Sequence, residues 1–194
     1  MMNTTHAIGW KAKDFALQGI DGRNYSLADI RGPKGTLMVF ICNHCPYMKA
    51  SINRIVMEAN ALREIGIGTI AIMPNDIAYP QDSFDNMKAF AAPYGLGFPY
   101  VIDTTQEVAL AYGAQCTPDI FGFNAQDKLQ YRGRLDASRM TPLPNARRDL
   151  IPPTLESNCP QGREAADSQS SSSDHRLSPR PALHKERRVR WQRG

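Results

Sequence analysis

Thr36-Leu37-Met38-Val39-Phe40-Ile41 runs directly into Cys42-Asn43-His44-Cys45-Pro46, and no other stretch constrains this chain as much. The apolar run has the length and composition of a buried strand. From Tyr47 to Ile65 the pattern is helical. The two cysteines therefore fall at a strand-to-helix turn, where a Cys-x-x-Cys is placed for thiol redox chemistry. A helix start offers unpaired amides and a partial positive charge, both of which favour a thiolate. Pro46 suits the first helical turn, where its missing N–H costs nothing.

The rest of the chain bounds what surrounds that turn. Its 194 residues are enough for one domain with a substantial core and extra segments. It holds no run of 18 apolar residues, so no membrane span is expected. The N-terminal residues lack the charged and apolar regions of a signal peptide, which gives the expectation of a cytoplasmic, reducing location. There a Cys-x-x-Cys is catalytic or metal-binding more often than a structural staple. Of the net charge of +4, residues 151–194 carry three charges. The remainder is nearly neutral and shows no nucleic-acid footprint.

Composition changes near Pro152. Residues 1–150 keep apolar periodicity and read as one domain. Residues 151–194 are rich in Ser, Pro and Arg and end in a basic segment containing Trp191, so a disordered tail is expected there. Within the domain, 15–20 and 25–27 flank Asp21-Gly22 as a hairpin. Residues 67–73 form a buried strand stopped by Pro74. Ser83 caps a helix running through Ala92. A short strand covers 99–102, and Thr105 caps a helix from Gln106 to Tyr112. A second hairpin joins 120–123 to 128–133. Early strand-helix-strand units give parallel pairing and the closing hairpin makes the sheet mixed, with helices on both faces.

Asp14-Phe15-Ala16-Leu17, Asp21-Gly22, Ser26-Leu27, Gly35, Cys42…Cys45-Pro46, Cys116-Thr117-Pro118-Asp119 and Tyr131-Arg132-Gly133 occur in an order that resembles the redoxin (AhpC/TSA, peroxiredoxin-like) group of the thioredoxin superfamily. The resemblance covers roughly residues 9–140, and is strongest to members with a Cys-Asn-His-Cys-Pro-Tyr centre. It implies an α/β thioredoxin fold with an N-terminal hairpin extension. It also implies a cis-proline at Pro118 opposite the cysteines, with the Thr117 backbone beside an extended substrate.

The expected function is a thiol–disulfide oxidoreductase working by dithiol exchange, without a cofactor. Its partners would be protein or small-molecule disulfides and a thioredoxin- or glutathione-type reductant. Cys42 is expected to be the exposed attacking thiolate, and Cys45, one turn into the helix and more buried, the resolving thiol. His44 would stabilise the Cys42 thiolate and make the centre more oxidising than thioredoxin, at about −180 mV or above against about −270 mV. Cys116, next to Thr117, is a possible third redox thiol. His6 is expected to be solvated in a loose terminus.

Two alternatives stand beside this reading. A peroxiredoxin-like thiol peroxidase would act as an antioxidant, but the Pro-x3-Thr-x2-Cys pattern of peroxiredoxins is absent. Aligning Cys45 to it puts Cys42 at the threonine and Met38 at the proline; aligning Cys42 puts Val39 and Gly35 there. A metal-binding module would use Cys42, Cys45 and His44 or Cys116, with thiolates selecting Cu(I) or Zn.

Overall fold

The computed structural model describes residues 6–77, 79–133 and 135. The boundary at Pro152 and the basic tail lie outside the described residues. In chain order the elements are β1 (Leu17–Gly19), β2 (Asn24–Tyr25), α1 (Leu27–Ile30), β3 (Gly35–Phe40), α2 (Pro46–Glu64), β4 (Ile67–Met73), α3 (Phe84–Ala91), β5 (Tyr100–Ile102), α4 (Glu107–Tyr112), β6 (Asp119–Asn124) and β7 (Leu129–Gly133). The strands form a seven-stranded sheet in the order β2-β1-β5-β4-β3-β6-β7. The central β3–β4 and β4–β5 pairs are parallel, and the outer pairs are antiparallel. This is the mixed thioredoxin-type sheet with an N-terminal hairpin added at one edge.

Strand alternation splits the core in two. Leu37 and Val39 of β3, and Ile41 just after it, pack with Met48, Ile52, Ile55 and Leu62 of α2 and Met87 of α3. Met38 and Phe40 point the other way, to Leu27 and Ile30 of α1 and Ala109 and Tyr112 of α4. All six β3 residues are buried, as a strand covered on both faces requires. A β-carbon at Gly35 would sit 2.1 Å from the Phe123 carbonyl oxygen, so only glycine lets β3 approach β6 there.

Most expected elements fall within a residue or two of their observed bounds. Ser83 does cap α3, its hydroxyl accepting from the Asn86 amide. At α4 the expectation shifts. Gln106, at φ 62°, is the N-cap, and Thr105 Oγ1 only accepts from the Glu107 amide at 3.3 Å. The buried Asp103 carboxylate takes over by accepting from the Ala109 amide at 2.9 Å. His6 is also corrected: it stacks on Trp10, with ring centroids 3.8 Å apart, and its Nε2 lies 2.8 Å from the Ala111 carbonyl. No helix among the described residues is long and apolar enough to cross a membrane.

Candidate redox site

The topology brings three chain segments to one end of the sheet. Parallel β3 and β4 end side by side, with Phe40 opposite Ile72, so the segments that follow them meet. Antiparallel β6 begins there too, because Phe40 also pairs with Asp119. Residues 42–45, 74–77, 79–82 and 116–118 therefore converge.

Cys42 and Cys45 lie close together, and both are free thiols. The expected order of exposure is reversed. Cys42 is only 1% exposed, whereas Cys45 is half-buried. The cause is local. A residue before proline is disfavoured in helical conformation, and Cys45 accordingly has extended angles, φ −62° and ψ 125°, as the N-cap of α2, with Pro46 as the first helical residue. Cys45 is thus not one turn into the helix. It stands at its mouth, while Cys42 continues the strand direction into the α2-side core.

This placement decides the electrostatics. The two sulfurs share a hydrogen-bonding interaction, and it is the main reason Cys45 is lowered to about 6. Burial opposes the shift. The amides of Met48 and Tyr47, aimed at the sulfur but short of a formed cap bond, and the neighbouring His44 add to it. The same interaction, with burial, pushes Cys42 up, while the Thr117 hydroxyl pulls against it. Helix-start amides serve the cysteine at the cap, and here that is the second one.

Thr117 touches both sulfurs. Its Oγ1 is 2.9 Å from Cys42 Sγ, and its carbonyl oxygen is 3.9 Å from Cys45 Sγ. The Thr117-Pro118 peptide bond is cis, as the family resemblance implies. Cys116 is exposed at the rim, with Sγ 3.8 Å from the Pro118 carbonyl. Protein packed on one side of it, with the Asp119 charge adding, pushes its thiol up to about 11. It stays a thiol at neutral pH.

His44 is no exposed spacer. Its Nδ1 lies 2.6 Å from Oδ2 of Asp82, a carboxylate with no solvent exposure. Asp82 also accepts from the Asn43 amide at 2.9 Å and from Asn75 Nδ2 at 2.6 Å. Asn43 in turn accepts from the buried Tyr100 hydroxyl at 2.7 Å. The whole Cys-Asn-His-Cys loop is tied to one buried polar network. Sequence reading missed Asp82 and Tyr100. Tyr100 reads as a core strand residue, and Asp82 as one more polar residue in a Pro-containing turn.

Among the described residues, no three His, Cys, Asp or Glu side chains converge to hold a metal ion. The bonds of His44 to Asp82 and of Cys116 toward Pro118 aim those two side chains elsewhere. A cleft of about 580 Å³ lies between β1, the turn after β5 and α4, away from the cysteines.

Residues 8–132 match the AhpC/TSA family, and the chain belongs to it. It is 30% identical to the thiol-disulfide oxidoreductase ResA of Geobacillus thermodenitrificans, over 66% of this chain and 69% of that protein. Against two further ResA proteins it spans 65% and 64% of their length. A Mycobacterium tuberculosis protein whose name assigns it provisionally to the peroxiredoxins is 32% identical, over 65% of this chain and 76% of its own length. An uncharacterized conserved protein of Geobacillus kaustophilus, known as a crystal structure, is 43% identical with a TM-score of 0.67, over 77% of each chain.

Proposed function

We propose that this chain is a thiol–disulfide oxidoreductase working by dithiol exchange, with Cys45 as attacking thiolate and Cys42 as resolving thiol. One observation carries the assignment: Cys45 is the half-exposed sulfur at the start of α2, whereas Cys42 beside it is only 1% exposed. An attacking thiol works best with a pKa near the ambient pH, and a resolving thiol must be close and protected from solvent. The Cys45 thiolate attacks a substrate disulfide and forms a mixed disulfide. Cys42 then attacks Cys45, closing the intramolecular bond and releasing the substrate thiol. A stabilised thiolate favours the reduced centre, which makes it a stronger oxidant than an unperturbed dithiol. Thr117 and Pro118 flank both sulfurs and are the proposed contact for the substrate chain. A cytoplasmic location and re-reduction by a thioredoxin- or glutathione-type reductant complete the proposal. The test is reduction of a disulfide peptide by the dithiol form, with mapping of the trapped adduct. An adduct on Cys45 in the Cys42→Ser variant supports the assignment; an adduct confined to Cys42 in Cys45→Ser reverses it.

The AhpC/TSA match and the 32% identical Mycobacterium tuberculosis relative favour a second reading, thiol peroxidase activity. A hydroxyl does reach Cys42, from Thr117 and not from the residues before the cysteine. Peroxide consumption far slower than disulfide exchange would set this reading aside.

A further inference from the structure

The Asp82 carboxylate has no solvent exposure and collects three donors. Burying an ionised carboxylate is costly unless its oxygens are satisfied, so such a group persists where it organises something. Two of its three donors, the Asn43 amide and His44 Nδ1, belong to the loop between the cysteines. The third, Asn75 Nδ2, braces the carboxylate from the end of β4. Tyr79 packs edge-on against the imidazole, with ring centroids 4.9 Å apart. The ring is therefore held on two sides and half-buried.

We propose that Asp82 is a positioning residue for dithiol exchange: through its bond to Nδ1 it fixes the His44 tautomer and orientation, so that Nε2 serves as the proton carrier for the cysteine pair. An ionised carboxylate only accepts, so Nδ1 carries the proton and Nε2 is the ring position left to exchange one. The inference rests on the dithiol reading above. Charge and proton balance as follows. The Cys45 thiolate attacks R–S–S–R′, forming Cys45–S–S–R and expelling R′S⁻, which takes the proton from Nε2 of protonated His44. The neutral ring then accepts the Cys42 proton as Cys42 attacks Cys45, closing the disulfide and expelling RS⁻. Nε2 protonates RS⁻ in turn. The chain ends as a disulfide with neutral His44, and the substrate as two thiols.

Two measurements test this. Nitrogen NMR of His44 in the oxidised wild-type chain, where the scheme leaves the ring neutral, reads the tautomer directly and needs no turnover. A proton on Nδ1 of the neutral ring supports the proposal; a proton on Nε2 with an Nδ1 lone pair overturns it, even if no variant folds. The second measurement is a double-mutant cycle on the rate of disulfide-peptide reduction. Asp82→Asn and His44→Ala should each slow exchange about a hundredfold, in the range for a positioned proton carrier. The double variant should be no slower than His44→Ala alone. If the two losses multiply, Asp82 acts on the loop independently of His44 and the proposal fails. A wild-type chain that reduces no disulfide refutes the dithiol reading instead, and the tautomer result stays separate from that outcome.

Discussion

The two faces of the central sheet are built by different rules. The face toward α1 and α4 is aromatic: Phe40, Tyr112, Phe121 and Phe123 interlock, mostly edge to face, with centroids 5.5–6.2 Å apart. The Tyr112 hydroxyl at this face donates to the Lys13 carbonyl. The face toward α2 and α3 is aliphatic over most of its area, but at the end where β3 and β4 stop it admits Asp82, Asn43, Asn75 and the Tyr100 hydroxyl. One face stabilises by area and packing. The other gives up apolar packing at one end to hold a loop in a fixed shape, and the chemistry sits at that end.

The sharpest way to break the comparison is at the sulfurs. Cys45→Ser is expected to reduce disulfide exchange to background in a chain that stays folded, while Cys42→Ser keeps the first attack and accumulates a mixed disulfide on Cys45. Mass spectrometry of the adducts, run beside thermal melts, checks both arms. A large loss of stability in either variant would show that the polar end also carries the fold.

On the aromatic face the expected result is the opposite. Phe121→Ala removes a fully buried ring from the packed set and should cost about 3–5 kcal/mol. Denaturant titration reads the loss, and exchange rates measured on the folded fraction should stay within a factor of two or so of wild type. Slower chemistry in the folded molecules would mean that the two faces are coupled through β3.

Tyr100→Phe lies between these extremes. It deletes the donor to the buried Asn43 Oδ1 and leaves that acceptor unpaired, at about 1–3 kcal/mol. Because Asn43 is in the active loop, stability and Cys45 reactivity should fall together. A stability loss with unchanged alkylation of Cys45 would separate the network from the site.

The smallest effect is in pH. Alkylation of Cys45 should fall as pH drops through about 6, where its thiolate protonates. The same shift has a sign in stability. A thiol whose folded value is depressed below the ordinary 9.0 contributes fully above 9.0, and that contribution is lost as pH falls through about 6. Cys42, raised in the folded state, acts only above 9.0, where its contribution is lost as pH rises. Between 6 and 9 the Cys45 effect stands alone. The difference in melting midpoint between reduced wild type and Cys45→Ser should therefore shrink toward pH 6.

Much of this was legible in local pattern. The apolar run at 36–41, the helical spacing after it, the run at 67–73 and the Asp21-Gly22 turn fall on β3, α2, β4 and the first hairpin. The reversal of the cysteines was legible in part as well. Pro46 restricts Cys45 to extended angles, which is enough to make it the cap of the helix and not its second turn. Asp82 was not legible. Its partner His44 is 38 positions away, and nothing in Tyr79-Pro80-Gln81-Asp82-Ser83 distinguishes a buried acceptor from a solvated turn residue.

By itself the sequence determined the α/β alternation, the strand that delivers two cysteines to a helix start, and the dithiol chemistry those residue types allow. These follow from side-chain periodicity and from proline's restrictions, which act over a few residues. Which sulfur is buried and which is half-exposed was decided only by the tertiary structure. A thiolate's energy depends on desolvation and on the donors around it, and those come from segments far apart in the chain: Thr117, 75 positions from Cys42, and Asp82, brought to His44 by the parallel pairing of β3 with β4.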